Sequence, residues 1–170
     1  MKLGIPRPCI PTVCIDFGWR INRRHNSPPQ STLIRGTVMG RIQQKVIFEN
    51  STDKWSGAQV VRKIEIDMLV DSGAAMACLP KSDIEKLGLP YKKTVKAVTA
   101  DGMRERRIYA AANIIIGDRD GTFDIMEVPD GVPPLLGYIP LEQMDYLIDF
   151  AQHKLIENPE HNGKLTLDLF

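Results

Sequence analysis

Cysteine and histidine are scarce, three of each in 170 residues. Cys9, Cys14 and Cys78 cannot build a disulfide framework. His25, His153 and His161 share no metal-ligand spacing with them, so no zinc centre and no cofactor are expected. Long apolar runs are missing as well. None approaches the ~18 residues that span a bilayer, so no membrane association is expected. Lys2 and Arg7 are not followed by the apolar stretch of a secretory leader, and a reducing cytoplasm is the expected compartment. Lys and Arg (22) barely exceed Asp and Glu (21), a net charge of +1. That balance offers no reason to expect a polyanionic partner such as nucleic acid.

What is present fits a globular chain. Apolar residues make up 43% and charged residues 25%, enough to bury one core and too many for wholesale disorder. The length suits one domain with an arm. Residues 1–38 hold six of the basic residues, only one acid (Asp16) and five of the 12 prolines. They show no periodicity and read as a disordered basic arm, either a solvated upstream extension or a tether. The domain is expected over residues 39–170.

Strand signals dominate from Met39 onward. Val46-Ile47-Phe48 is a short apolar run, and Ile64, Ile66, Met68 and Val70 alternate with polar residues, the period of a half-buried strand. Val95, Ala97 and Thr99 alternate up to Asp101-Gly102, a dipeptide suited to a hairpin turn. Ile108, Ala110, Ala112, Ile114 and Ile116 continue the period, predicting a long hairpin. A turn at Gly117–Gly121 leads into Phe123–Val128. Tyr146–Phe150 and Lys154–Glu157 form a further hairpin. Leu165, Leu167 and Leu169 predict a last strand, read as pairing with a partner subunit because an exposed apolar edge invites association.

Helices are short. Ser82-Asp83-Ile84-Glu85 has the form of a capping box, stopped at Gly88. Pro140 is expected at the first helical position of a second helix ending near Asp145. Trp55 is placed in a loop, Cys78 in a buried position, and His153 and His161 at the surface. The chain is mainly β.

One constellation can carry chemistry. The strand ending at Val70 delivers Asp71 into Ser72-Gly73-Ala74. The strand fixes the carboxylate, and Gly73 leaves its N–H open to it. Asp-Ser-Gly alone turns up by chance in roughly one chain in twenty of this length, so its context matters. A second element, Leu135-Leu136-Gly137, lies beyond the hairpin. No Gly-x-Ser-x-Gly elbow and no base partner support a serine or cysteine nucleophile.

In these features the chain resembles the retropepsin-like aspartic proteases, especially their single-domain prokaryotic members, over about residues 39–162. Asp71-Ser72-Gly73-Ala74 is similar to the active-site motif of that family. The hairpin about Asp101-Gly102 falls where the family carries its flap, and Leu135-Leu136-Gly137 resembles the element beside the active-site loop. The resemblance implies a closed β-barrel with a flap hairpin and one or two short helices. It implies an aspartic endopeptidase with Asp71 catalytic, the loop supported by Ser72, Gly73 and Ala74, and polypeptide substrate covered by Thr99, Ala100, Asp101, Gly102 and Met103. With only one Asp-Ser-Gly, two chains must each donate Asp71, so a homodimer is implied. The other reading of the same residues is an inactive protease-like module for dimerisation or peptide binding.

Overall fold

The protein is described here by a computed structural model covering residues 41–99 and 102–166. The arm at residues 1–38, Ala100 and Asp101, and Leu167 and Leu169 lie outside the described residues. The elements run β1 (Gln43–Asn50), α1 (Ser51–Ser56), β2 (Lys63–Val70), β3 (Ala77–Pro80), α2 (Lys81–Leu87), β4 (Tyr91–Thr99), β5 (Gly102–Ile116), β6 (Arg119–Val128), β7 (Leu135–Leu136), α3 (Tyr138–Gln143), β8 (Tyr146–Asp149) and β9 (Lys154–Glu157). A 3₁₀ turn follows at Pro159–His161. The architecture is mainly β. None of the described helices is long and apolar enough to cross a membrane.

The main sheet is ordered β1-β2-β7-β3-β6-β5-β4, and β1 also pairs with β5. The hydrogen-bonded neighbours therefore run in a ring from β1 through β2, β7, β3, β6 and β5 back to β1, with β4 outside it. Closing the ring leaves fewer unpaired backbone groups at the sheet edges. Within the ring Val46, Phe48, Met68, Leu79, Ile114, Ile125 and Leu136 are fully buried and packed in one cluster, joined by Ile84 and Leu87 of α2. Each such side chain contributes about 1.5–3 kcal/mol by leaving water.

β5 has two roles, divided by a bulge. Its first half pairs with β4, from Thr99 opposite Gly102 to Tyr91 opposite Tyr109. Its second half, Ala112 to Ile115, pairs with β1. Between Tyr109 and Ala112 the register against β6 slips by one residue, and Ala111 takes φ 32°. The unbroken alternation read from Ile108 to Ile116 is therefore corrected. Ala112 stands opposite Phe123, whereas Ile108 stands opposite Met126, on the other face of β6. A residue inserted into one strand reverses the facing of everything before it. The run of small side chains at Ala110–Ala112 conceals the insertion in the sequence.

Other expectations shift by a few residues. Ser82 lies inside α2, whose cap is Pro80 with no side-chain hydrogen bond, so the capping box does not form. The Ser82 N–H instead donates to Asp130 Oδ1 at 3.1 Å. Gly88 does end α2, at φ 61°. α3 begins at Tyr138 and contains Pro140, because Gly137 supplies the extended cap. The turn before β6 shrinks to Gly117-Asp118 because the strand starts at Arg119. Residues 164–166 form no strand.

Trp55 lies in α1, a helix with no apolar periodicity to announce it. The Asn50 side chain organises it. Its Oδ1 accepts the Thr52 and Asp53 N–H groups at 2.8 and 3.3 Å. Its Nδ2 donates to the Leu87 and Gly88 carbonyls at 2.9 and 3.1 Å. One wholly buried amide thus joins the start of α1 to the end of α2.

Beyond the ring, Arg119 is buried and its Nη1 donates to the Met144 and Asp145 carbonyls at 2.8 and 2.6 Å, holding the end of α3. Asp145, at φ 57°, lies beneath it. Its Oδ1 accepts from Asn158 Nδ2 at 2.9 Å, and His161 Nδ1 lies 2.8 Å from its Oδ2. His161 is therefore part of a half-buried cluster rather than a surface residue. Burial alone would raise the Asp145 carboxyl, but hydrogen bonds from His161, Asn158 and the Thr166 N–H outweigh it and hold the group below its ordinary 3.8.

Two outcomes follow for stability. Asn50→Ala removes a cap and strands two buried carbonyls, and urea denaturation should show a loss of about 2–4 kcal/mol with an unchanged slope. A carboxyl lowered on folding stabilises above its unfolded value and loses that contribution as pH falls through the folded one. Stability should therefore drop as pH falls below about 4, and Asp145→Asn, which tolerates the same backbone, should show a flatter pH dependence there by thermal unfolding.

Candidate active site

Asp71 follows the last residue of β2, where the chain must turn. Its carbonyl accepts the Ala74 N–H at 3.1 Å, closing a turn over Asp71-Ser72-Gly73-Ala74. The Gly73 N–H donates to Asp71 Oδ1 at 2.9 Å. The carboxylate is thus aimed by its own turn, and Oδ2 has no hydrogen-bond partner among the described residues. A Cβ on Gly73 would stand 3.2 Å from Oδ1, so the glycine keeps the approach to that oxygen open.

The turn is braced from below by β7. This two-residue strand runs parallel to β2, with Val70 opposite Leu136, and antiparallel to β3, with Cys78 opposite Leu135. It lies between the two strands that the Asp71 turn connects. The Asp71 N–H donates to the Leu136 carbonyl at 3.0 Å, and the Tyr138 and Ile139 N–H groups donate to the Ala74 and Ala75 carbonyls at 2.9 and 3.1 Å. Two backbones approach so closely at Gly137 that a Cβ there would meet the Met76 and Ala74 carbonyl oxygens at 2.5 and 2.6 Å. Only glycine fits without movement.

Asp71, Gly73 and Ala74 open into a cleft of about 640 Å³. Val95, Ala97 and Thr99 of β4 line its opposite side. The sequence-derived residues therefore distribute as follows. Asp71, Gly73, Ala74, Thr99 and Leu135 share the cleft, while Leu136 is buried behind it. Ser72 is exposed beside it, and its hydroxyl has no partner among the described residues. Gly102 pairs with Thr99 at the hairpin end, and Met103 is exposed opposite Val98. Ala100 and Asp101 lie outside the described residues.

The cleft also contains residues that the sequence did not single out, among them Lys96, Arg106, Met126 and Val132. Counting back from Ile108 in steps of two reaches Arg106, but only the bulge assigns that face to the cleft. Cys78 stands opposite Met126, which stands opposite Ile108, so the three form a cross-strand row on that same face. Burial pushes the Cys78 thiol up to about 11, the charge of Asp71 adds to this and that of Arg106 opposes it. Cys78 is a buried apolar wall residue rather than a nucleophile. Among the described residues no three His, Cys, Asp or Glu side chains converge on a possible metal position.

Comparison with known proteins follows the same lines. Residues 57–138 match the family model described as Aspartyl protease. Among solved structures, the chain is similar to the EIAV protease complexed with the inhibitor HBY-793, at 16% identity and a TM-score of 0.44, over 62% of this chain and 89% of that one. No curated protein matches.

Gly137→Ala tests how far the Asp71 turn depends on β7. The added methyl must displace backbone, so a loss of about 1–3 kcal/mol is expected in urea denaturation. Accelerated hydrogen exchange at Ala74 and Tyr138 should accompany it. The segment that matches the aspartyl protease family model carries the Asp71 turn, the strands of the hairpin over it and the β7 brace, so the likeness to aspartyl proteases falls on the residues that build the site.

Proposed function

We propose that the chain is an aspartic endopeptidase that works as a homodimer, each copy contributing Asp71. The observation that supports this most directly is the number of acids in the cleft. Asp71 is the one carboxylate among the residues that line it, yet hydrolysis by carboxylates needs one group to take a proton and another to give one. A symmetry-related turn supplies the second. Asp71 stands on an incompletely buried turn and Ser72 is exposed beside it. Neither Asp71 Oδ2 nor the Ser72 hydroxyl has a partner among the described residues, which leaves both able to bond across a two-fold axis.

Two carboxyl groups within hydrogen-bonding distance cannot both be ionised, so the pair holds one proton through a mildly acidic range. The ionised member takes a proton from water as its oxygen bonds to the peptide carbonyl carbon. The protonated member gives its proton to the carbonyl oxygen. Collapse of the tetrahedral intermediate breaks the C–N bond: the amine leaves with a proton from the pair, and one hydroxyl of the diol returns its proton to the pair as the carbonyl re-forms. β4 and β5, hydrogen-bonded as a hairpin over the cleft, exclude water and hold an extended substrate by strand-like backbone bonds.

Asp71→Asn should lower kcat by about 10²–10⁴-fold, the range for a positioned acid or base, while sedimentation still shows the dimer. Wild-type specific activity should fall on dilution as the dimer dissociates, and statine-containing peptides should inhibit it. Cleavage retained by Asp71→Asn, or by a strict monomer, would overturn the proposal.

A further inference from the structure

The cleft carries one charge that the hydrolytic chemistry does not use. Three charged side chains line it, Asp71, Lys96 and Arg106. Lys96 is exposed and stands opposite Glu105 across the hairpin. Arg106 stands opposite Val95, two residues before Ile108, and so shares the face of the row formed by Cys78, Met126 and Ile108, of which Cys78 and Met126 line the cleft. Unlike its neighbours Arg104, Glu105 and Arg107, it is partly withdrawn from solvent.

No carboxylate among the described residues lies within ion-pair distance of Arg106. Among the described residues its one hydrogen bond runs from Nη1 to the Glu105 carbonyl at 3.5 Å. Arg106 also borders an adjoining hollow of about 540 Å³ that holds Glu105, Glu127 and Asp130. Glu127 accepts the Tyr109 hydroxyl at 2.6 Å and Asp130 accepts the Ser82 N–H at 3.1 Å, while Glu105 is exposed. A guanidinium offers five N–H donors in a planar fork matched to a carboxylate. Among the described residues most of that capacity is unused at the junction of two hollows, on the wall of a cleft that is otherwise mainly apolar.

We propose that Arg106 is a specificity-determining residue, forming a subsite that selects peptides with an Asp or Glu side chain near the cleaved bond. The inference rests on the endopeptidase reading for where the bond is cut. An extended peptide presents alternate side chains to opposite walls, and the one passing Arg106 meets a cation that has no carboxylate partner among the described residues. A charge-assisted, two-point contact of this kind discriminates strongly against the uncharged amide.

The test is a mixture of random-sequence decapeptides. The wild type cleaves it, and the products are sequenced. In parallel, immobilised Asp71→Asn protein retains peptides from the same mixture, which are eluted and sequenced. Asp and Glu should be enriched about tenfold over Asn and Gln at one position near the cut, as expected of a carboxylate–guanidinium contact. Arg106→Met should remove that preference and Arg106→Glu should transfer it to Lys and Arg. These ratios do not depend on the fraction of variant that folds. Cleavage indifferent to acidic residues overturns the subsite alone. Acidic peptides retained but never cut by the wild type support the subsite and overturn the endopeptidase reading. A mixture neither cut nor retained overturns both.

Discussion

The backbone hydrogen bond from Asp71 to Leu136 is the constraint on which the site depends. It exists because β7 is threaded between β2 and β3, the two strands that the Asp71 turn connects. A turn between strands that do not pair with each other would otherwise be held only at its ends. With β7 in the gap, Asp71, Ala74 and Ala75 are each bonded to residues 136–139. The carboxylate therefore inherits the rigidity of the sheet. The absence of a side chain at Gly137 permits this, since the approach is closer than any Cβ allows.

The same economy appears in β5. One strand serves the barrel with its second half and the hairpin over the cleft with its first, and the bulge at Ala110–Ala111 lets the two halves face differently. Without the extra residue, Arg106 would turn to the opposite side of the sheet, and the cleft would lose one of its two cations. The bulge is thus where fold and proposed specificity meet. On the hairpin side of the bulge, Ile108 and Tyr109 still pair with β6, and from Arg107 to Gly102 the strand is paired with β4 alone.

Away from the cleft, two polar clusters tie the short helices to the sheet. Asn50 joins α1 to α2, and Arg119 with Asp145 fastens α3 and the final turn. Both are buried groups with nearly complete hydrogen bonding, and such clusters are costly to disrupt singly. α3 carries the residues that bond Ala74 and Ala75 at its start, so Arg119 at its far end helps hold the brace under Asp71.

Much of this was legible from residue order alone. Alternation at Ile64–Val70 and at Val95–Thr99 marked strands that form, and Asp71-Ser72-Gly73-Ala74 with Leu135-Leu136-Gly137 marked a turn and its brace. Those signals are local: period, glycine and carboxylate read within a few residues. The bulge, the N-cap by Asn50, the position of His161 beside Asp145 and the placement of Arg106 in the cleft were not legible. Each depends on which strands or helix ends lie side by side, and a pairing between residues tens of positions apart leaves no periodic trace. The sequence by itself determined a mainly β chain with one carboxylate set in a glycine turn. Tertiary structure decided which side chains surround that carboxylate, because sheet register, not residue order, assigns a side chain to a face.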